Sequence, residues 1–191
     1  MSEGKPGGAF MNRRTLLQVA GLAAFVSACA QPSATASPGA PIMLCREAWG
    51  ARPPRPGGTP QIPNRITIHH TEVFLGDNSN APGRIRADQR YHQDSQGWID
   101  IAYHVGVDRN GNIYELRNPE LVGDTATTYD PTGHFLVVCE GNFDEEQVTE
   151  ELLNGVALAS AWAAQRFSIP PDTVAGHRDF AAISCPVSAV T

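Results

Sequence analysis

Short segments in which apolar and polar positions alternate predict β-strands at residues 65–70, 101–107, 112–117 and 134–140. The fourth strand is apolar at every position from 135 to 138, which is typical of a strand inside a sheet. Residues 108–111, Asp-Arg-Asn-Gly, predict a hairpin turn between the second and third strands, because Asn and Gly readily adopt positive φ angles. A further short strand is predicted to end at His177.

Two segments have the spacing of helices. Residues 84–96 are polar with helical periodicity, and residues 145–167 carry an apolar stripe made of Val148, Leu152, Val156, Ala159 and Ala163. Asp144 is the predicted N-cap of the second helix, with Gln147 three residues further on. A few strands interleaved with helices predict an α/β or α+β domain, in which helices cover a sheet.

The N-terminal segment has the pattern of an export signal. Arg13 and Arg14 precede an apolar run over residues 16–26, which is too short to span a bilayer comfortably. We therefore predict a signal peptide over residues 1–28, which resembles a twin-arginine signal. The segment ends Val-Ser-Ala-Cys, which resembles a bacterial lipoprotein cleavage box and makes Cys29 the predicted lipidation site. Ordinary secretion with Cys29 discarded is the alternative.

Composition separates a tether from a folded domain. Residues 29–41 are rich in Ala, Ser, Pro and Thr and predict a flexible tether. Residues 42–191 are enough for one domain with a hydrophobic core. The whole chain has a formal charge of -6, and removal of residues 1–28 makes it more acidic, which argues against a nucleic-acid partner. We expect a monomer that contacts the membrane only through its lipid, at the outer face of the cytoplasmic membrane or in the cell envelope.

Three dispersed residues form a candidate metal site. His177 and Cys185 lie eight positions apart, and His69 and His70 close the predicted strand at 65–70. Because alternate strand residues face opposite sides, His70 shares a face with the apolar Ile66 and Ile68, and His69 is the better ligand. Two imidazoles and one thiolate fill three corners of a tetrahedron around zinc and leave the fourth for a water molecule. This set predicts a hydrolase, although spacing alone leaves a chance arrangement open.

Several motifs occur in a fixed order from residue 46 almost to the end of the chain. They are REAWGA at 46–51, IHHT at 68–71, GWIDIAYH at 97–104, GNIYELR at 111–117, GNF at 141–143, GHRD at 176–179 and CP at 185–186. Together they resemble the zinc-dependent N-acetylmuramoyl-L-alanine amidase family, which includes phage-lysozyme-type amidases and peptidoglycan recognition proteins. The resemblance implies a single domain with a central mixed sheet flanked by helices, and a groove for the glycan and its stem peptide.

The resemblance also implies the chemistry. The implied ligands of Zn²⁺ are His69, His177 and Cys185, and the implied catalytic residue is Tyr103. The implied reaction is hydrolysis of the amide between N-acetylmuramic acid and L-alanine in peptidoglycan or muropeptides. Strand parity does not support Tyr103 independently, because it places the side chain on an apolar face with Val105, where a packed tyrosine is the default.

The sequence departs from the family pattern at three places. Ile183 stands two residues before the ligand cysteine, where catalytic members commonly have Lys or Thr, and an isoleucine side chain donates no hydrogen bond. Val187 follows the Cys-Pro pair in place of Gly, and Gly123-Asp124 stands where many members carry Gly-Ala-His. The alternative function is therefore a non-catalytic peptidoglycan-binding lipoprotein. Retention of Cys185 favours the enzyme.

Other residues carry weaker predictions. Trp98, Arg117 and Asn142 are candidates to line the substrate groove, although a solvated strand end is an equal alternative for Arg117. Asp179 is expected either to orient His177 or to cap a turn.

The remaining histidines and cysteines have blander interpretations. His92 is expected in the core or in the groove wall, and His104 and His134 are expected to be structural. Cys45 and Cys139 are left over after lipid and zinc, and in an exported protein they are candidates for a disulfide.

Overall fold

One mixed sheet organises the computed structural model, which describes residues 26–27, 42–182 and 185. Its strands are β1 (Val26–Ser27), β2 (Ile42–Leu44), β3 (Arg65–His70), β4 (Val105–Val107), β5 (Ile113–Glu115), β6 (His134–Cys139) and β7 (Val174–Gly176). They lie in the order β1-β2-β5-β4-β6-β3-β7. Within this sheet β4 and β5 pair antiparallel through the predicted hairpin, and the other neighbours pair parallel. The predicted α/β fold with a mixed sheet is confirmed.

In the described part of the chain, two α-helices flank the sheet, α1 (Ala81–Asp94) and α2 (Glu150–Phe167). Short 3-10 turns lie at Arg46–Trp49, Asn78–Asn80, Pro171–Thr173 and His177–Asp179. Among the described residues, no helix is long and apolar enough to cross a membrane.

The predicted start of α2 is wrong. The N-cap is Thr149, whose hydroxyl accepts a hydrogen bond from the amide of Leu152 at 3.1 Å, and not Asp144. The preceding residues belong to a loop, because the carboxylate of Glu146 accepts hydrogen bonds from the amides of Leu75 and Asn142. The local sequence favours a helix that starts near residue 145, but contacts with distant backbone keep residues 145–148 out of it.

The main hydrophobic core lies between α2 and one face of the sheet. Ile66, Ile68 and Val137 point into it from the strands, and Leu152 and Val156 from the helix. The approach is close at one point, where a Cβ at Gly155 of α2 would lie 2.6 Å from Val107 and 2.9 Å from the carbonyl oxygen of Gly111. Gly111 itself has φ 80° in the hairpin turn, so small residues allow the helix and the hairpin to pack together.

The predicted strand at 101–107 is shorter in the structure, since only Val105–Val107 is regular. The guanidinium of Arg117 diverts the segment before it by donating to the carbonyl oxygens of Asp100 and Ile101. Outside β4, strand alternation no longer sets the direction of the side chains.

Two predictions, a disulfide between Cys45 and Cys139 and a structural role for His104, have different outcomes. Cys139 is a buried free thiol, so the candidate disulfide with Cys45 is not formed. His104 is fully buried and uses both ring nitrogens, which contact the amide of Leu136 and the carbonyl oxygen of Leu121. Its role is therefore structural, as expected.

The N-terminal predictions concern residues that lie almost entirely outside the described part of the chain. Apart from the two residues of β1, this applies to the signal peptide at 1–28, the lipidation site at Cys29 and the tether at 29–41.

Candidate metal centre

The register of two strands brings two histidines together. Parallel pairing of β3 with β7 aligns Ile68 with Gly176, so the next residues, His69 and His177, emerge side by side. Their ring centroids are 4.5 Å apart. The carboxylate of Asp179 accepts a hydrogen bond from the amide of Gly176 at 2.8 Å, and Asp179 thereby caps the turn that begins at His177.

Cys185 returns to the same point from the loop that follows His177. The amide of Arg178 donates to the carbonyl oxygen of Cys185 at 2.6 Å, and the amide of His70 donates to its sulfur at 3.3 Å. The three ligand atoms offered by His69, His177 and Cys185 all lie within 4.8 Å of one another, and all three residues are buried. The structure therefore brings the three predicted ligands together around a space suited to one ion.

The electrostatics of the cluster fit a divalent cation. Burial lowers the pKa of His177 to about 4, and burial together with His177 lowers the pKa of His69 well below its usual value. Both rings are therefore neutral at pH 7 and have lone pairs to offer. The Nε2 atom of His69 is buried and has no hydrogen-bond partner in the part of the chain that the structure describes. An imidazole pair with one unpartnered nitrogen, beside a thiol, is a donor set that zinc prefers.

The thiol requires the metal in order to ionise. Burial, followed in importance by the Glu72 and Asp144 carboxylates, raises the pKa of Cys185 to about 12, and the His70 amide opposes this shift. Cys185 is thus protonated at neutral pH in the absence of a cation. Ligation must displace that proton, which makes metal affinity increase with pH.

Tyr103 lies in the cleft beside the metal ligands, with its ring centroid 5.2 Å from that of His69. Tyr103 packs against an apolar cluster that includes Ile101 and Leu116, as strand parity predicts, but it does not share a face with Val105, because residues 101–104 lie outside β4. Burial, with a further contribution from Cys185, raises the pKa of Tyr103 far above its usual value. The phenol therefore keeps its proton at neutral pH and has a hydrogen to donate.

A cavity of about 250 Å³ covers the cluster. Its lining comprises His69, His70, Thr71, Glu72, Tyr91, His92, Gln96, Trp98, Ala102, Tyr103, Asp124, Thr125, Ala126, Thr127, His177 and Cys185. Trp98 and His92 form one wall with ring centroids 4.8 Å apart, and the Nδ1 atom of His92 accepts a hydrogen bond from the amide of Ala102.

Of the three residues predicted to contact substrate, only Trp98 lines this cavity. Arg117 is 1% exposed, and its guanidinium is bound to main-chain carbonyls and to the carboxylate of Asp124. The amide of Asn142 donates to Glu146, and its side-chain oxygen accepts a hydrogen bond from Asp144. Both residues hold loops in place around the cleft.

Sequence reasoning missed two neighbours of the ligands. The Thr127 hydroxyl lies 3.0 Å from Nε2 of His177, and the Tyr129 ring centroid lies 4.9 Å from that of His177. Both belong to the irregular segment between Gly123 and Gly133, which has no periodicity to reveal an orientation. Ile183, which departs from the family pattern, lies outside the described residues.

Comparison with known proteins identifies the family of the chain. Residues 58–188 match the family described as N-acetylmuramoyl-L-alanine amidase, Amidase_2. The chain belongs to this amidase family. An N-acetylmuramoyl-L-alanine amidase of Homo sapiens is 34% identical over 161 residues, covering 80% of this chain and 27% of the human protein. The chain thus spans only about a quarter of the length of that relative.

Solved structures share the amidase fold. Drosophila peptidoglycan recognition protein SD superposes with a TM-score of 0.70 at 25% identity, covering 78% of this chain and 89% of that one. Peptidoglycan recognition protein LE, solved in complex with tracheal cytotoxin, gives a TM-score of 0.68 at 28% identity, covering 75% and 86%. Both the predicted family and the predicted fold are therefore confirmed.

Proposed function

We propose that this chain is a zinc-dependent amidase that hydrolyses the amide between N-acetylmuramic acid and L-alanine in peptidoglycan or muropeptides. The observation that carries the proposal is the cluster of His69, His177 and Cys185, with Tyr103 beside it in one cleft. Family membership and the human relative support the reaction. The related protein LE, whose bound ligand is monomeric diaminopimelic acid-type peptidoglycan, supports a muropeptide as substrate.

Each residue of the cleft has a separate role in the proposed reaction. His69, His177 and Cys185 would hold zinc, which when bound supplies Lewis-acid polarisation of a carbonyl and activates water at neutral pH. Tyr103 donates a hydrogen bond to the carbonyl oxygen of the scissile amide as negative charge develops there. Trp98 and His92 offer an aromatic wall against which a sugar or peptide packs.

The proposal includes the location of the protein in the cell. Export through the N-terminal signal and lipidation of Cys29 would hold a monomeric domain at the outer face of the cytoplasmic membrane, next to its substrate. The measurement is the mass of the mature N-terminus isolated from cells. An unmodified N-terminus would remove the lipoprotein part and leave the amidase part standing.

The deciding experiment incubates the purified, zinc-loaded protein with muropeptides and detects free stem peptide by mass spectrometry. Cys185→Ser, prepared in the same way, is the matched control, since it removes one proposed ligand with a minimal change in volume. We expect stem peptide from the wild type and none from the variant. Intact muropeptides after incubation with the wild type would overturn the amidase.

A second candidate, a non-catalytic peptidoglycan-binding protein, is favoured by one observation. Ile183 offers no side-chain donor where catalytic relatives commonly have Lys or Thr, and loss of one such donor typically costs about two to three orders of magnitude in rate. Binding of muropeptides by the wild type without any release of peptide, measured by calorimetry beside the mass assay, would favour this candidate.

A further inference from the structure

Glu72 has an unusual backbone conformation at the edge of the metal centre. It follows β3 by two residues and has φ 56°, and in the described part of the chain only Ser168 is also a non-glycine residue with positive φ. Ser168 is the C-cap of α2, where the left-handed conformation is common. Glu72 caps none of the helices in the described part of the chain. Strained backbone of this kind is concentrated at functional sites.

The carboxylate of Glu72 lies inside the cleft. It lines the cavity above the ligands, and one of its oxygens lies within 4.8 Å of both the Cys185 sulfur and a ring nitrogen of His70. The Glu72 Oε1 atom is 3.7 Å from His70 Nε2, which is too long for a good hydrogen bond, and the Glu72 side chain is 54% exposed. The carboxylate therefore lies near the candidate ligands and is accessible to a substrate.

The ring of His70 lies next to this carboxylate. The Nδ1 atom of His70 accepts a hydrogen bond from the amide of Phe143 at 3.2 Å, so the neutral ring carries its proton on Nε2. That Nε2 atom is buried and has no hydrogen-bond partner among the described residues. This buried N–H faces the Glu72 carboxylate, and its Nε2 atom lies 3.7 Å from Glu72 Oε1.

The other groups in the cleft that could accept a proton are engaged in hydrogen bonds or ion pairs, or already carry a proton. The carboxylate of Asp124 is bound to the guanidinium of Arg117, and Nδ1 of His92 accepts a main-chain amide hydrogen bond. Tyr103 keeps its proton because burial raises its pKa. The two ligand histidines are committed to the proposed metal. Glu72 is the remaining carboxylate of the cavity lining.

We propose that Glu72 is the general base and general acid of the amide hydrolysis, a role that rests on the proposed amidase function. A water oxygen attacks the carbonyl carbon of the amide, a C–O bond forms, and the carboxylate of Glu72 accepts a proton from that water. The C–N bond then breaks, and Glu72 returns the proton to the amine nitrogen of L-alanine. The products are the muramic carboxylic acid and a stem peptide with a free amine, and Glu72 ends as a carboxylate.

The test compares Glu72→Gln, which is isosteric but accepts no proton, with Glu72→Gly, which tolerates the positive φ and leaves space for an added carboxylate. Glu151→Gln, an exposed change on α2, is the matched control. For each protein, zinc content, muropeptide affinity and the rate of peptide release are measured. We expect both Glu72 variants to keep their zinc and their affinity while kcat falls about 100- to 10,000-fold. Added formate should restore part of the rate to Glu72→Gly alone.

The outcomes separate this inference from the proposed function. If the wild type and Glu151→Gln release no peptide, both proposals fall. If the wild type is active and Glu72→Gln matches it, only the role of Glu72 falls. Loss of zinc from Glu72→Gln would also overturn the role, because Glu72 would then be a ligand. Absence of any formate rescue in a folded, zinc-loaded Glu72→Gly protein would contradict direct proton transfer.

Discussion

The two faces of strand β3 have different tasks. Ile66 and Ile68 point into the apolar core beneath α2, whereas Thr67 and His69 face the opposite side. Thr67 contacts the ring of His134 at 2.7 Å, and His69 enters the metal cluster. One six-residue strand therefore contributes Ile66 and Ile68 to the apolar core and His69 to the candidate metal cluster. Substitutions on the two faces should separate stability from activity.

The two helices also differ in the kind of contact that attaches them to the rest of the domain. Helix α2 is attached through buried aliphatic residues such as Leu152 and Val156. Helix α1 buries Ile85, and in addition it buries Gln89 and Gln93, with the Gln89 amide donating to the carboxylate of Asp100 at 2.7 Å. Apolar packing is nondirectional, whereas hydrogen bonds fix distance and angle. The cleft side is thus positioned by directional contacts.

Removal of a ligand is the largest expected effect on the cleft side. His177→Ala should lose its zinc and all measurable release of stem peptide, because only two ligands remain. Zinc content by mass spectrometry and the muropeptide assay measure both. Full activity in a zinc-free variant would show that the cluster is not the reaction centre.

Tyr103→Phe should have the next largest effect and should act on rate alone. Loss of one hydrogen bond to the developing oxyanion should lower kcat about 100- to 1,000-fold, or about 2.7–4 kcal/mol. Zinc content and KM should change little, since the ring still packs beside His69. Steady-state kinetics measure this, and an unchanged kcat would remove Tyr103 from the mechanism.

Acid should weaken the fold through its buried histidines. Burial lowers the pKa of His104 to about 3, so below pH 6.5 the unfolded chain takes up a proton that the folded chain excludes. Stability therefore falls as pH drops, and His104 alone costs about 2 kcal/mol by pH 5. Burial lowers the pKa of the other five histidines in the same direction. Denaturant unfolding of the metal-free protein at pH 7 and pH 5 measures the loss, and equal values would contradict it.

The smallest expected effect comes from a substitution on the side of β3 that faces the apolar core. Ile66→Val removes one buried methylene and should cost about 0.5–1.5 kcal/mol of unfolding free energy. Under folding conditions its zinc content and kcat should match the wild type. Urea unfolding and the muropeptide assay measure the two quantities, and a large drop in kcat would show that the faces are not independent.

The sequence predicts those features that depend on local periodicity. The bounds of β3 and the orientation of His69 follow from a two-residue alternation, and the hairpin follows from its Asn-Gly pair. Helix α2 begins later than its local signals predict, because Glu146 binds backbone that is about seventy residues away. Strand alternation gives no guide to the surroundings of Tyr103, because the regular strand begins only at Val105 and Arg117 binds the carbonyl oxygen of Ile101 before it. The conformation of Glu72 likewise has no signal in the local sequence.

The alignment of β3 with β7 makes the meeting of two candidate ligands, His69 and His177, independent of the length of the chain between them. His69 and His177 meet because Ile68 lies opposite Gly176, and the intervening segment takes no part in that match. Insertions in the connecting loops are therefore compatible with the centre, and surface features can diversify around it. An extra residue within either strand would turn its histidine to the opposite face. During divergence, the meeting of the two histidines is vulnerable to shifts inside two short strands, and the third member of the cluster, Cys185, depends on the loop that follows His177.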